Sequence, residues 1–160
     1  MIHQIPAIKQ ILLVEDDPQD VKLILAALDE PHLANTIVVV QDGAEALDYL
    51  YRVGKYRDRS DENPVLVLLD NNMPKLSGIE VLKTIKTENH LKSIPVVALT
   101  SSREPRDLAD FYKSGVNAYV VKPVDFSEFM RTVRQLRAFW ILVNESPLPA
   151  RIEHLPLPAA

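Results

Sequence analysis

The chain contains no cysteine among its 160 residues, which excludes a disulfide framework, a thiolate metal centre and thiol redox chemistry. It also lacks an excess of positive charge. With a formal net charge of −4 at pH 7, it shows none of the electrostatic footprint of a nucleic-acid-binding protein. No apolar run approaches the length of a membrane span, and the opening MIHQIPAIKQ has neither the basic region nor the apolar segment of a signal peptide. These absences lead to the expectation of a cytoplasmic protein with no membrane and no nucleic-acid partner. The histidines His3, His32, His90 and His154 are scattered without ligand spacing and receive no role. What is present is ordinary for a soluble domain, 47% hydrophobic and 25% charged, and the length suits one domain with a core plus a tail.

Along the chain, short apolar runs alternate with stretches of helical periodicity. QILLV (10–14), TIVVV (36–40), the run opening VLVLLDNNMPKLSG (65–78), PVVAL (95–99) and AYVV (118–121) read as five strands. Between them, Asp17-Pro18 starts a helix with an aspartate cap and a proline at its first position, and Val21, Ile24, Leu25 and Leu28 share one face of it. Further helices are expected over 44–53, 78–86 and 106–114, and a long one from Asp125. Five βα units predict an α/β domain of flavodoxin-like (βα)5 architecture, a doubly wound five-stranded parallel sheet in the order 2-1-3-4-5. The expected boundaries are an N-terminal extension at 1–9, the domain at 10–145 and a proline-rich C-terminal tail at 146–160. The polar stretch RVGKYRDRSDEN (52–63) reads as a longer second helix end and a solvated loop.

Strands buried on both faces end abruptly on polar residues: the first on Glu15-Asp16-Asp17, the third on Asp70, the fourth on Thr100-Ser101 and the fifth on Lys122-Pro123. These are carboxyl ends, where open α/β sheets place their ligands. Several carboxylates in one pocket repel one another unless a proton or a cation neutralises them. Oxygen donors without cysteine or clustered histidine suit Mg²⁺, with Asp16 and Asp70 as side-chain ligands and the carbonyl of Asn72 as a third. Lys122 adds a positive charge and Thr100 a hydroxyl, so the pocket suits a phosphoryl group with Asp70 as its nucleophile.

The segments LLVEDDP, LVLLDNNMPKLSG, PVVALTSS and NAYVVKPV, in this order and on these strands, resemble the receiver domain of two-component response regulators over Gln10 to Val143. The resemblance implies that Asp70 is the phosphoacceptor and that Glu15 and Asp16 form the acidic pair that holds Mg²⁺. It also implies that Thr100 is the switch hydroxyl, Tyr119 the rotating aromatic and Lys122 the site lysine, followed by a cis bond to Pro123. The chain departs from the usual pattern in having Glu15 where an aspartate is common and Ser101 where a small residue is usual, while Asn72 and Ser102 occupy positions that tune hydrolysis. GKYRD, LKSIPVVALTSS and VDFSEF with a following FW resemble single-domain regulators that partner phytochrome-type and related histidine kinases. The expected function is a stand-alone response regulator that takes a phosphoryl group from a sensor histidine kinase onto Asp70 and signals through protein contacts. It is expected to be no enzyme beyond self-phosphorylation and slow autodephosphorylation.

The last helix carries Phe129, Val133, Leu136, Trp140 and Val143 in a stripe longer than such a sheet needs. Phe129, Val133, Trp140 and Val143 are therefore candidates for a homodimer or partner surface. Three other functions compete. A small-molecule phosphohydrolase of the haloacid-dehalogenase type needs a second acid two residues after the nucleophile, where this chain has Asn72. A phosphorylation-independent adaptor with the same fold would not need the acidic pocket, and a flavin binder would not place Glu15-Asp16-Asp17 against a phosphate.

Overall fold

The computed structural model describes residues 9–29, 35–60 and 62–147. The proposed extension and tail therefore lie outside the described residues, apart from Lys9, Ser146 and Pro147. The strands are β1 (Lys9–Val14), β2 (Asn35–Val40), β3 (Leu66–Leu69), β4 (Val96–Thr100) and β5 (Ala118–Val121). They form one parallel sheet in the order β2-β1-β3-β4-β5, with Val14 beside both Val40 and Leu69, and Leu69 beside Ala98. Alternation along each strand sends side chains to two cores. On one side Leu12, Val14, Val67, Leu69, Val96 and Ala98 pack under α2 (Gly43–Tyr51), α3 (Gly78–Thr87) and α4 (Pro105–Lys113). On the other, Ile11, Leu13, Leu66, Leu68, Val97 and Leu99 meet α1 (Pro18–Leu28) and α5 (Phe126–Arg137). Burial on both faces explains why β3 and β4 read as continuous apolar runs.

Each helix starts where its local sequence permits. Asp17 accepts from the Gln19 amide at 2.9 Å and Pro18 opens α1; Asp42 accepts from Glu45 at 2.8 Å and Asp125 from Glu128 at 2.9 Å. The helix expected over 44–53 ends earlier, because Arg52 adopts a left-handed conformation (φ 56°) and turns its amide back onto Asp48 and Tyr49 carbonyls.

The polar stretch 52–63 is more than a solvated loop. Arg59 lies 4.3 Å over the Tyr49 ring and donates to the carbonyls of Tyr49, Leu50, Ser60 and Glu62, satisfying groups at the end of α2. The expected long last helix also changes character: α5 passes into a π-helical segment at Ala138–Val143. Phe129 and Val133 face the sheet and are core residues, 4% and 0% exposed. They are therefore removed from the candidate contact surface. Trp140 is half-buried, and Val143 is exposed together with Phe139 and Leu142. There is no cis peptide among the described residues, so the bond from Lys122 to Pro123 is trans, the favoured isomer of an X-Pro bond.

Candidate functional site

The site is assembled from strand ends. The Asp70 amide donates to the Val14 carbonyl at 3.0 Å, which fixes the step out of β3 beside the step out of β1. The Lys122 amide donates to the Thr100 carbonyl at 2.8 Å, setting β5's exit against that of β4. Glu15, Asp70 and Thr100 are buried at 2%, 7% and 0% exposure, whereas Asp16 is exposed. Carboxylate oxygens of Glu15, Asp16 and Asp70 all lie within 4.8 Å of one another. The Lys122 ammonium donates to Glu15 at 2.7 Å and to Asp20 at 2.8 Å, with Asp70 Oδ1 at 3.7 Å.

The electrostatics follow from burial and from this imbalance of charge. Burial pushes the Glu15 carboxyl up to about 7, with the Lys122 hydrogen bond opposing the rise and the nearby Asp70 adding to it. Asp70 is raised above the ordinary carboxylate range, first by burial, while Lys122 pulls it back. Burial alone would lower the Lys122 ammonium, but the hydrogen bonds it donates to Asp20 and Glu15 more than offset this and keep it charged. One lysine thus faces four carboxylates, those of Glu15, Asp16, Asp20 and Asp70. The pocket remains short of positive charge, and its hard oxygen donors fit a divalent cation such as Mg²⁺.

The loop after β3 is held by Asn71. Its side-chain oxygen accepts from the Ile79 amide at 3.1 Å, and its carbonyl accepts from Met73 and Gly78. Asn72 is exposed on the same loop. Gly78 is required there because a Cβ would come 2.2 Å from the Asp70 carbonyl oxygen. On the other flank, Thr100 Oγ1 accepts from the Ser102 amide at 3.4 Å, and the Tyr119 hydroxyl donates to the Ser102 carbonyl at 3.0 Å. The Ser102 hydroxyl donates to Asp107 at 2.6 Å, so the residues expected to switch meet α4 through one serine. Tyr119 also packs edge-on against Phe111 at 5.4 Å.

The structure therefore gathers Glu15, Asp16, Asp70 and Lys122 into one pocket, with Thr100 ending the adjacent β4 and Tyr119 on the flank of Ser102. Sequence reasoning passed over Asp20, Asn71 and the link from Ser102 to Asp107. Asp20 follows Asp17-Pro18 at the third helical position, where an acid reads as a response to the helix dipole. Only its pairing with a lysine 102 residues away reveals another use.

Residues 11–134 match the response regulator receiver domain. Response regulator Rcp1 of Synechocystis is 36% identical over 83% of this chain and 89% of its own length. The Mn²⁺-bound form of Rcp1 superposes with a TM-score of 0.82 at 35% identity, covering 87% of this chain and 99% of that one. The phosphorylated cyanobacterial phytochrome response regulator RcpA gives 0.84 at 40% identity, covering 88% and 99%. The bacteriophytochrome response regulator AtBRR is 53% identical, with a TM-score of 0.69 over 88% and 100%. Buried acid, acidic cluster and lysine stand at the ends of a 2-1-3-4-5 sheet, and the chain belongs to the response regulator receiver domain family, among relatives that include phytochrome response regulators.

Proposed function

We propose that the protein is a phosphorylation switch in which Asp70 accepts a phosphoryl group from a sensor histidine kinase. The observation that carries this reading is the buried Asp70 carboxylate, held at a rigid strand end 3.7 Å from the Lys122 ammonium and within reach of Glu15 and Asp16. An Asp70 oxygen attacks phosphorus, the bond from phosphorus to the donor's imidazole nitrogen breaks, and the imidazole takes up a proton. Glu15, Asp16 and Asp70, with the Asn72 carbonyl, would hold Mg²⁺, which supplies neutralising charge for the transferring oxygens. Lys122 supplies a compact positive charge on the other side. The Thr100 hydroxyl then turns toward the phosphoryl oxygens, and its loss as an acceptor for Ser102 alters the contact that holds Tyr119.

A phytochrome-type kinase is the proposed donor, supported by the phytochrome regulators among the relatives. The protein acts as a single-domain regulator in the cytoplasm, turning over phosphoryl groups only by slow autodephosphorylation. The exposed Phe139, Leu142 and Val143 offer a self-association surface. Among the described residues no helix is long and apolar enough to cross a membrane.

Intact-mass measurement after incubation with Mg²⁺ and acetyl phosphate tests the proposal. Wild type gains one phosphoryl group, Asp70→Asn gains none, and a chelator abolishes the gain. No gain in wild type under donor excess would refute the switch and favour a phosphorylation-independent adaptor.

A further inference from the structure

We propose that Asp20 is a positioning residue that keeps Lys122 beside the phosphoacceptor carboxylate without letting it bind there, an inference that rests on the reading of Asp70 as phosphoacceptor. An ammonium has three protons to donate. Two are used on Glu15 at 2.7 Å and Asp20 at 2.8 Å, while Asp70 Oδ1 stands at 3.7 Å, attracted but not hydrogen-bonded. The two anchors differ in kind. Glu15 belongs to the carboxylate trio whose oxygens converge, so it would be shared between Lys122 and any cation held there. Asp20 lies outside that trio, on the first turn of α1, where the Asp17 cap and Pro18 fix the backbone.

Once Glu15 is shared with a cation, Asp20 is the contact that still determines where the ammonium sits. Without it, the nearest remaining carboxylate is Asp70, and Lys122 closes the gap. A direct ion pair there would occupy an oxygen that must attack phosphorus and would compete with the cation for the same carboxylate.

A double-mutant cycle on Mg²⁺ affinity, measured by calorimetry on unphosphorylated protein of confirmed fold, separates this placement from the loss of one negative charge. Asp20→Asn weakens Mg²⁺ binding about tenfold when Lys122 is present, and no more than about twofold in the Lys122→Met background. Under saturating Mg²⁺, Asp20→Asn slows phosphoryl uptake from acetyl phosphate by about tenfold, and Asp20→Glu returns it to within about threefold of wild type. Equal weakening in both lysine backgrounds, or faster uptake in Asp20→Asn, overturns the proposal. If wild type gains no mass while the magnesium cycle is coupled as expected, the phosphoacceptor reading fails and the placement of Lys122 by Asp20 stands.

Discussion

Replacing Gly78 with alanine places a methyl carbon 2.2 Å from the Asp70 carbonyl oxygen, 2.8 Å from Asn71 Cα and 3.0 Å from the Asp70 carbonyl carbon. All three are backbone atoms, so no side chain can swing aside. Relief requires the start of α3 and the exit of β3 to separate by about 1 Å, a distortion that costs about 1–3 kcal/mol in packed regions. The same movement stretches the bonds from the Gly78 amide to the Asn71 carbonyl (3.0 Å) and from Ile79 to Asn71 Oδ1 (3.1 Å). Each is worth about 1 kcal/mol, while the stiffer unfolded chain returns about 0.4–1 kcal/mol. The expected loss is about 2–4 kcal/mol, or about 5–15 °C in melting temperature for a chain of this size. Because the displaced backbone belongs to Asp70, phosphoryl uptake falls as well. Gly54→Ala is the control: it has nothing within 4 Å and a φ of 59°, so it carries only the left-handed penalty of about 1–2 kcal/mol and leaves uptake unchanged. Thermal denaturation by circular dichroism, paired with the acetyl phosphate assay, reads both effects. A Gly78→Ala protein that melts and takes up phosphoryl like wild type would refute the steric reasoning.

Glu15 predicts a pH dependence of defined sign. Its folded value of about 7 exceeds the ordinary 4.5, so stability is fully present below about 4.5 and declines as pH rises to about 7, at about 1.4 kcal/mol per pH unit. In chelator, the denaturation midpoint of wild type should fall through this window relative to Glu15→Gln, and excess Mg²⁺ should flatten the fall; a relative rise would contradict the assignment. Arg59→Lys should lose about 2–3 kcal/mol despite retaining the charge, because one ammonium cannot reproduce four guanidinium hydrogen bonds and the stacking on Tyr49. An unchanged urea midpoint would show that the 52–63 stretch is only surface. Leu142→Asp with Val143→Asp should convert a sedimenting dimer to a monomer, and a wild type that is monomeric with and without phosphorylation would dispose of that surface.

Much of the fold was legible because buried parallel strands have a plain signature. LVLL and VVALT need apolar residues on both faces, and Asp17-Pro18 and Asp42-Gly43 mark helix starts through local chemistry. The convergence of Glu15, Asp16, Asp70, Thr100 and Lys122 on one edge followed from strand order alone. What escaped depends on contacts between distant residues. Nothing local in RVGKYRDRSDEN says that Arg59 will find the carbonyls ending α2, and nothing in DPQD says that Asp20 will meet Lys122. Phe129 and Val133 were misplaced for a different reason: helical spacing identifies an apolar stripe but not how much of it the sheet covers. The left-handed Arg52 is a further case, since arginine carries no preference for that conformation and local hydrogen bonding decides it.

Lys122 and Glu15 are 107 positions apart and yet share a proton-bearing contact of 2.7 Å. Lys122 leaves β5, which among the described residues pairs only with β4 and so forms an edge of the sheet. The positive charge that balances the pocket's carboxylates is therefore carried by the outermost strand of the sheet, while Glu15 and Asp70 stand at the ends of the inner strands β1 and β3. Local opening of that edge would withdraw the ammonium from Glu15 and Asp70 while the inner strands keep their pairing. The charge balance of the pocket is in this sense a report that the edge of the sheet is closed.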